Sequence, residues 1–237
     1  MEIVDFIALT IVALVIFMIV YKFYFKKTHR NIRSVNSKSV SASSPQQIPE
    51  DGSPRHHECI STYSMDIQIN DFKTNIKKNK HIFSALSDAN FSVSSNSRLT
   101  LELGEQTNEL IITSTYLDSK KRIQNIPLQE WVNITVVFNS DILEVFINGM
   151  LSRTYILNGN VQSGDMYMYT TQNGGFEGYI RNIQYIPDAL STREVRNLMG
   201  QSDSGAGSMY NTVNKALNKI IELPGKYFYN YDNGSCV

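Results

Sequence analysis

Hydrophobic and polar positions fall into three regimes along the chain. Residues Phe6 to Tyr21, FIALTIVALVIFMIVY, carry no charge and are apolar on every helical face. At ~1.5 Å per residue, this run makes about 24 Å of helix. Extended from Ile3 to Phe25, with Lys22 snorkelling at one end, it covers the roughly 30 Å of a bilayer core. The pattern predicts one transmembrane helix within residues 1–25, and Tyr21, Phe23, Tyr24 and Phe25 stand where an interfacial aromatic belt belongs. A cleaved signal peptide would need a basic start and a small-residue cleavage site. Here Glu2 and Asp5 open the chain, and aromatics and lysines follow the run. Periodicity then disappears. Ser34 to Pro54 is rich in Ser, Pro and Gln, and residues 26–58 read as a basic collar followed by a flexible tether.

From Cys59 the period becomes two. Val132, Ile134, Val136 and Phe138 share one strand face, and Leu143, Val145 and Ile147 share another. The pattern predicts strands at Thr62–Ile69, Lys80–Ala85, Phe91–Ser94, Leu99–Leu103, Glu109–Tyr116, Trp131–Phe138, Leu143–Ile147, Met150–Ile156, Asp165–Tyr169 and Gly178–Ile186. Asn148-Gly149 is a two-residue hairpin signal. Alternating short strands with turns between them indicate an antiparallel two-sheet sandwich over residues 59–200. Ser191-Thr192-Arg193-Glu194 is a capping box that starts a helix running through Met199. In residues 201–237, Val213, Ala216, Leu217, Ile220 and Ile221 make Tyr210–Leu223 an amphipathic helix, ended by Pro224-Gly225. A last strand is expected at Lys226–Tyr231.

Composition narrows the function. The 22 basic and 22 acidic residues cancel, so bulk electrostatic binding of nucleic acid is not expected. The distribution says more than the sum. No Lys or Arg precedes the apolar run, whereas Lys22, Lys26, Lys27, Arg30, Arg33 and Lys38 follow it. The positive-inside rule therefore predicts a single-pass protein with its C-terminal domain on the cytosolic side and a collar able to meet anionic lipid.

Catalytic chemistry is sparse. His29, His56, His57 and His81 are the only histidines. His56-His57-Glu58-Cys59 lacks the distant partners a zinc site needs, so no metal is expected there. No Gly-x-Ser-x-Gly elbow or phosphate loop occurs. With only Cys59 and Cys236, a disulfide scaffold is excluded. The two cysteines bracket the β domain and read either as a bridge closing it or as two free thiols. A bridge conflicts with a reducing cytosol. Asn90, Asn133 and Asn233 head N-glycosylation sequons, which matter only if the domain is lumenal.

Three blocks carry a resemblance: STYSMDIQINDF with KHIFSAL, the pair WVNITVVFN and LEVFINGML, and GGFEGYIRNIQYIPDALSTREVRNL. Together they resemble the laminin-G-like domain of the concanavalin A-like lectin/glucanase superfamily, over roughly Cys59 to Gly200. With the N-terminal anchor added, the chain resembles membrane proteins of large DNA viruses. The resemblance implies a mainly β jelly roll that binds glycans or proteins through rim loops or its concave sheet. Oxygen ligands for such a ligand, or for calcium as the one cofactor the family suggests, would come from Asn158, Asn160, Asp165 and Asn173. Trp131 is expected to open a strand and pack in the fold, with sugar stacking as the alternative. Glycosidases of the superfamily carry Glu-x-Asp-x-x-Glu on one strand. The nearest pairs here, Glu102 with Glu105 and Asp141 with Glu144, lack that spacing, so catalysis is not expected. The expectation is thus a membrane-anchored, non-catalytic lectin-like module of undetermined oligomeric state. A structural virion or envelope protein without sugar binding is the alternative, and a glycoside hydrolase ranks third.

Overall fold

A computed structural model describes residues 33–36, 39–48, 53–72, 77–91 and 97–203. The expected anchor (1–25), the helix Tyr210–Leu223 and the strand Lys226–Tyr231 lie outside these residues, as does the expected Phe91–Ser94 strand apart from Phe91, which is irregular. Among the described residues, no helix is long and apolar enough to cross a membrane.

The described strands, in chain order, are β1 (Arg33–Asn36), β2 (Val40–Ser41), β3 (Gln46–Ile48), β4 (Arg55–His57), β5 (Ser61–Asp71), β6 (Lys80–Leu86), β7 (Ser97–Leu103), β8 (Leu110–Thr113), β9 (Lys121–Ile123), β10 (Trp131–Asn139), β11 (Ile142–Ile147), β12 (Met150–Ile156), β13 (Gly164–Thr170) and β14 (Glu177–Ile186). Helix α1 (Thr192–Asp203) follows them. One sheet has the order β1-β14-β5-β10-β11-β12, with β2 also on β14; the other runs β3-β13-β6-β7-β8-β9, with β4 also on β13. All pairings are antiparallel.

The period-two pattern explains the core. Tyr63, Met65, Ile67 and Ile69 of β5 meet Val132, Ile134, Val136 and Phe138 of β10 on the inner face of the first sheet. Leu99, Leu101 and Leu103 of β7, with Leu110 and Ile112 of β8, answer from the second sheet. Each such side chain removed from water contributes roughly 1.5–3 kcal/mol before chain entropy is counted. The β11–β12 hairpin turns at Asn148 and Gly149, both at positive φ (49° and 69°), as a two-residue type I′ turn requires. The Glu194 half of the capping box is in place: the Ser191 N–H donates to Glu194 Oε2 at 2.8 Å, and the Ser191 hydroxyl also donates to that oxygen at 2.6 Å.

Two bulges turn residues the alternation misses. In the β6–β7 pair, Ala85 faces Leu99 and Leu86 faces Ser97, so Arg98 is the extra residue and swings inward. Its guanidinium lies 5.3 Å from the Phe138 ring centroid and donates to Gln162 O (2.9 Å), Cys59 O (3.2 Å), Ser61 Oγ (2.9 Å) and Glu58 O. A buried cation is tolerable when its donors are engaged, and here both terminal nitrogens are bonded while Nε is not. Here those bonds pin the entry to β5.

The tether expectation changes most. Residues 33–36, 40–41, 46–48 and 55–57 are strands on the outer edges of both sheets, not a featureless linker. The reason is backbone pairing, which Ser- and Pro-rich sequence does not advertise. This arm first lies along β14, then crosses to β13. At the crossing, the Phe176 N–H donates to Ala42 O (3.1 Å) and the Ala42 N–H to Gly178 O (2.9 Å). Gly175 makes room, since a Cβ there would sit 1.9 Å from Ala42 O and its φ is +48°. Ala42, Ile48 and His57 are buried. His57 stacks on Tyr185 with ring centroids 4.1 Å apart, and its Nδ1 lies 2.7 Å from the Tyr63 hydroxyl.

A chain beginning at Cys59 should therefore be less stable than one beginning at Ile32 by at least about 3 kcal/mol, from lost burial alone. Urea denaturation measures the difference, and equal midpoints would restore the tether reading.

Candidate functional site

The outer face of the first sheet is divided in two. At one end Val137, Phe146 and Ile186 are covered by Leu190 and by Val195 of α1. At the other end the outward residues are polar, and they form a connected network around one carboxylate. Asp66 is 4% exposed. Its Oδ1 accepts from Asn133 Nδ2 at 2.9 Å, and its Oδ2 accepts from Asn182 Nδ2 at 2.7 Å and Arg181 Nε at 3.4 Å. Asn133 Nδ2 also reaches Ser64 Oγ (3.2 Å), Asn133 Oδ1 accepts from the Thr135 hydroxyl (2.8 Å), and the Ser64 and Thr135 hydroxyls lie 2.9 Å apart.

Adjacent residues of a regular strand face opposite ways, yet Arg181 and Asn182 both reach Asp66. A bulge in β14 allows this: register with β5 shifts between Arg181 and Gln184, and Asn182 has φ +52°. Beyond Asp66, Arg181 lies over Trp131, with its guanidinium carbon 3.9 Å from the ring centroid. Trp131 opens β10 as expected, but it stands half-buried on the outer face rather than in the core. Trp131 and Tyr179 are both register partners of Gln68, so the three form one row across β10, β5 and β14. Tyr179 is 44% exposed.

The residues expected at a rim site do not come together. Asn158 and Asn160 are exposed in the β12–β13 loop. Asp165 is exposed on β13, 3.1 Å from His56 Nδ1. Asn173 lies in the turn after β13, at that strand's opposite end. Five strand residues, Met166–Thr170, roughly 17 Å of chain, lie between Asp165 and the turn that holds Asn173. Among the described residues, no group of three or more His, Cys, Asp and Glu side chains is placed to hold a metal ion.

Asn133 is a correction as a glycosylation site. The amide nitrogen that would carry the sugar is buried and bonded to Asp66. Asn90 is exposed, and Asn233 lies outside the described residues. Cys59 packs partly buried against the core and is not a free thiol; its expected partner Cys236 lies outside the described residues.

The carboxylates considered for catalysis are scattered. Glu102 is buried on β7 and accepts from Asn79 Nδ2 at 3.3 Å, while Glu105 is exposed in the following loop, where its carbonyl accepts from Lys80 Nζ (2.8 Å). Asp141 sits in the β10–β11 turn and Glu144 on the outer face of β11.

One Ser–His contact was not anticipated. His81 Nε2 lies 2.7 Å from Ser84 Oγ, which lies 2.9 Å from Thr100 Oγ1. The Gln172 N–H donates to His81 Nδ1 at 3.1 Å. Nδ1 is therefore the acceptor, and Nε2 carries the proton and donates it to the serine. That tautomer cannot act as the base that activates a serine. Burial pushes the His81 pKa down to about 3.

The folded-state value lies below the ordinary histidine value, so the unfolded chain binds the extra proton. The stability His81 supports is complete above about pH 6.5 and is lost progressively as pH falls toward 3, on the order of 1 kcal/mol per unit at most. Urea midpoints from pH 7 to pH 4 should fall less steeply for His81→Gln than for the wild type. Parallel slopes would show that His81 protonation is not coupled to unfolding.

A family model described as Concanavalin A-like lectin/glucanases superfamily matches residues 62–196. A search of curated proteins gives no match. Among solved structures, the ligand-binding domain of botulinum neurotoxin serotype D in complex with N-acetylneuraminic acid is similar, at 14% identity and a TM-score of 0.51, over 72% of this chain and 46% of that one. A mutant of HCR/D gives 15% identity and a TM-score of 0.50, over 73% and 45%. Domain 4 of AbnA, an extracellular arabinanase from Geobacillus stearothermophilus, in complex with arabinotriose, gives 13% identity and a TM-score of 0.45, over 71% and 81%. The chain thus spans less than half the length of the first two of these chains.

Proposed function

Since the chain belongs to the concanavalin A-like lectin/glucanases superfamily, we propose that it is a non-catalytic binding module whose ligand is a glycan or a protein. The observation that carries this reading is the engagement of its buried chemistry by neighbouring side chains. Asp66 is saturated by Asn133, Asn182 and Arg181, and His81 donates to Ser84 rather than accepting from it. A retaining glycosidase needs two carboxyl groups about 5–5.5 Å apart, one protonated and one ionised. The scattered placement of Glu102, Glu105, Asp141 and Glu144 favours a binding role over that chemistry.

We also propose that the apolar run within residues 1–25 anchors the module in a membrane, with the β domain on the side of the basic collar. With β1 starting at Arg33, only residues 26–32 separate that run from the first strand, far fewer than a tether extending to residue 58. A bridge between Cys59 and Cys236 would close the domain, and it would require the compartment on that side to be oxidising.

The test is a glycan array probed with the full chain in detergent, beside reducing-sugar release from the same polysaccharides. Binding without hydrolysis is expected, and sugar release above a heat-killed control would return the chain to the hydrolases. Neutral and acidic oligosaccharides both belong on the array, because structures of this fold include complexes with arabinotriose and with N-acetylneuraminic acid. Protease added to the cytosolic face of sealed membranes should digest the β domain. A protected domain would overturn that topology, and a non-reducing gel run alongside reads the state of Cys59 and Cys236.

A further inference from the structure

We infer that the row Tyr179–Gln68–Trp131 on the outer face of the first sheet is a stacking platform for an oligosaccharide. This deepens the binding-module reading and rests on it. Register places the three residues side by side on one face of three adjacent strands. Trp131 and Tyr179 are separated by two strand spacings, about 9–10 Å. That separation suits alternate rings of an extended oligosaccharide, with the Gln68 amide beneath the ring between them.

The chemistry of the row favours a sugar over a protein. A protein hot spot is a desolvated apolar centre ringed by other contacts. Here the two aromatics stand among Ser41, Gln68 and Arg181, and the apolar end of this face is already covered by α1. A pyranose has a C–H face for an aromatic ring and a rim of hydroxyls for amide, guanidinium and phenol groups. Trp131 and Tyr179 both offer an apolar ring with a polar atom at its edge.

The platform is also held in place. Arg181 packs on one face of the indole at 3.9 Å, so the sugar would stack on the opposite face, and Asp66, buried between Asn133 and Asn182, holds Arg181. A ring fixed before binding loses less entropy when the ligand arrives. Asp66 is a positioning residue in this scheme and does not touch the ligand.

Trp131 is the only tryptophan in the chain, so intrinsic fluorescence reports on this site directly. The probe is a printed array of oligosaccharides three or more sugars long, applied to the full chain in detergent, followed by fluorescence titration of the strongest binder. We expect that binder to shift or quench the emission, and Trp131→Ala and Tyr179→Ala each to weaken binding at least tenfold. Trp131→Phe should retain part of the affinity. Shortening the oligosaccharide to a disaccharide should weaken binding more than tenfold, because it cannot bridge both rings. Tyr179 is exposed, so its alanine variant should fold normally and decides the matter if Trp131→Ala does not. A bound glycan whose affinity is unchanged in Tyr179→Ala and whose titration leaves the emission unmoved overturns the platform and spares the module. No bound glycan overturns the platform and the glycan branch of the module together. A protein partner lost in the same variants would overturn the sugar assignment.

Discussion

A single buried charge governs the middle of the first sheet. Asp66 sits on the outer face of β5, nearly sealed from water. An ionised carboxylate there is costly unless its oxygens are satisfied. The partners come from both flanking strands: Asn133 from β10, and Arg181 and Asn182 from β14. A one-residue slip of either neighbour would turn its contribution to the opposite face. The carboxylate therefore specifies the register of three strands, and the β14 bulge is the local distortion that satisfies it. The same register aligns the inner apolar faces, so core packing and the outer polar network favour one arrangement.

That arrangement also explains how the outer face is partitioned. Toward one end it is apolar, and α1 is capped by Ser191 and Glu194 so that Val195 lands on Val137, Phe146 and Ile186. Toward the other end the Asp66 network replaces a covering helix, and Arg181 and Trp131 form its outermost layer. The N-terminal arm protects the far edges of both sheets, where unpaired strand backbone would otherwise invite association. Burial is concentrated in the sheet interiors, which leaves the aromatic row as a partly exposed surface. A binding role on such a surface needs no moving part.

The sequence made some of this legible and hid the rest for physical reasons. Alternation in Trp131–Phe138 and Leu143–Ile147 revealed the inner faces, because one side of each strand had to be apolar. Asn148-Gly149 and the Ser191–Glu194 box were legible because few residues satisfy their backbone requirements. The arm was not, since β1 to β4 are held by main-chain hydrogen bonds at sheet edges, and their Ser, Gln and Pro content resembles a linker. Arg98 and Asn182 were missed because bulges break the period on which the reading relied. The rim residues Asn158, Asn160, Asp165 and Asn173 matched by type, but β13 separates them into two groups. Asn133 matched a sequon, and only the fold shows its amide committed to Asp66. The row Gln68, Trp131 and Tyr179 spans three strands far apart in sequence, and pattern within any one strand cannot reveal it.

The register of the first sheet depends most on the coupling between Asp66 and the bulged strand. A double-mutant cycle with Asp66→Ala and Asn182→Ala, read by urea denaturation, measures it directly. Asp66→Ala alone should cost about 3 kcal/mol, with a coupling of at least ~1 kcal/mol between the two sites. Effects that add to within roughly 0.3–0.5 kcal/mol would mean that the two residues act independently, and the network could not be what sets the register.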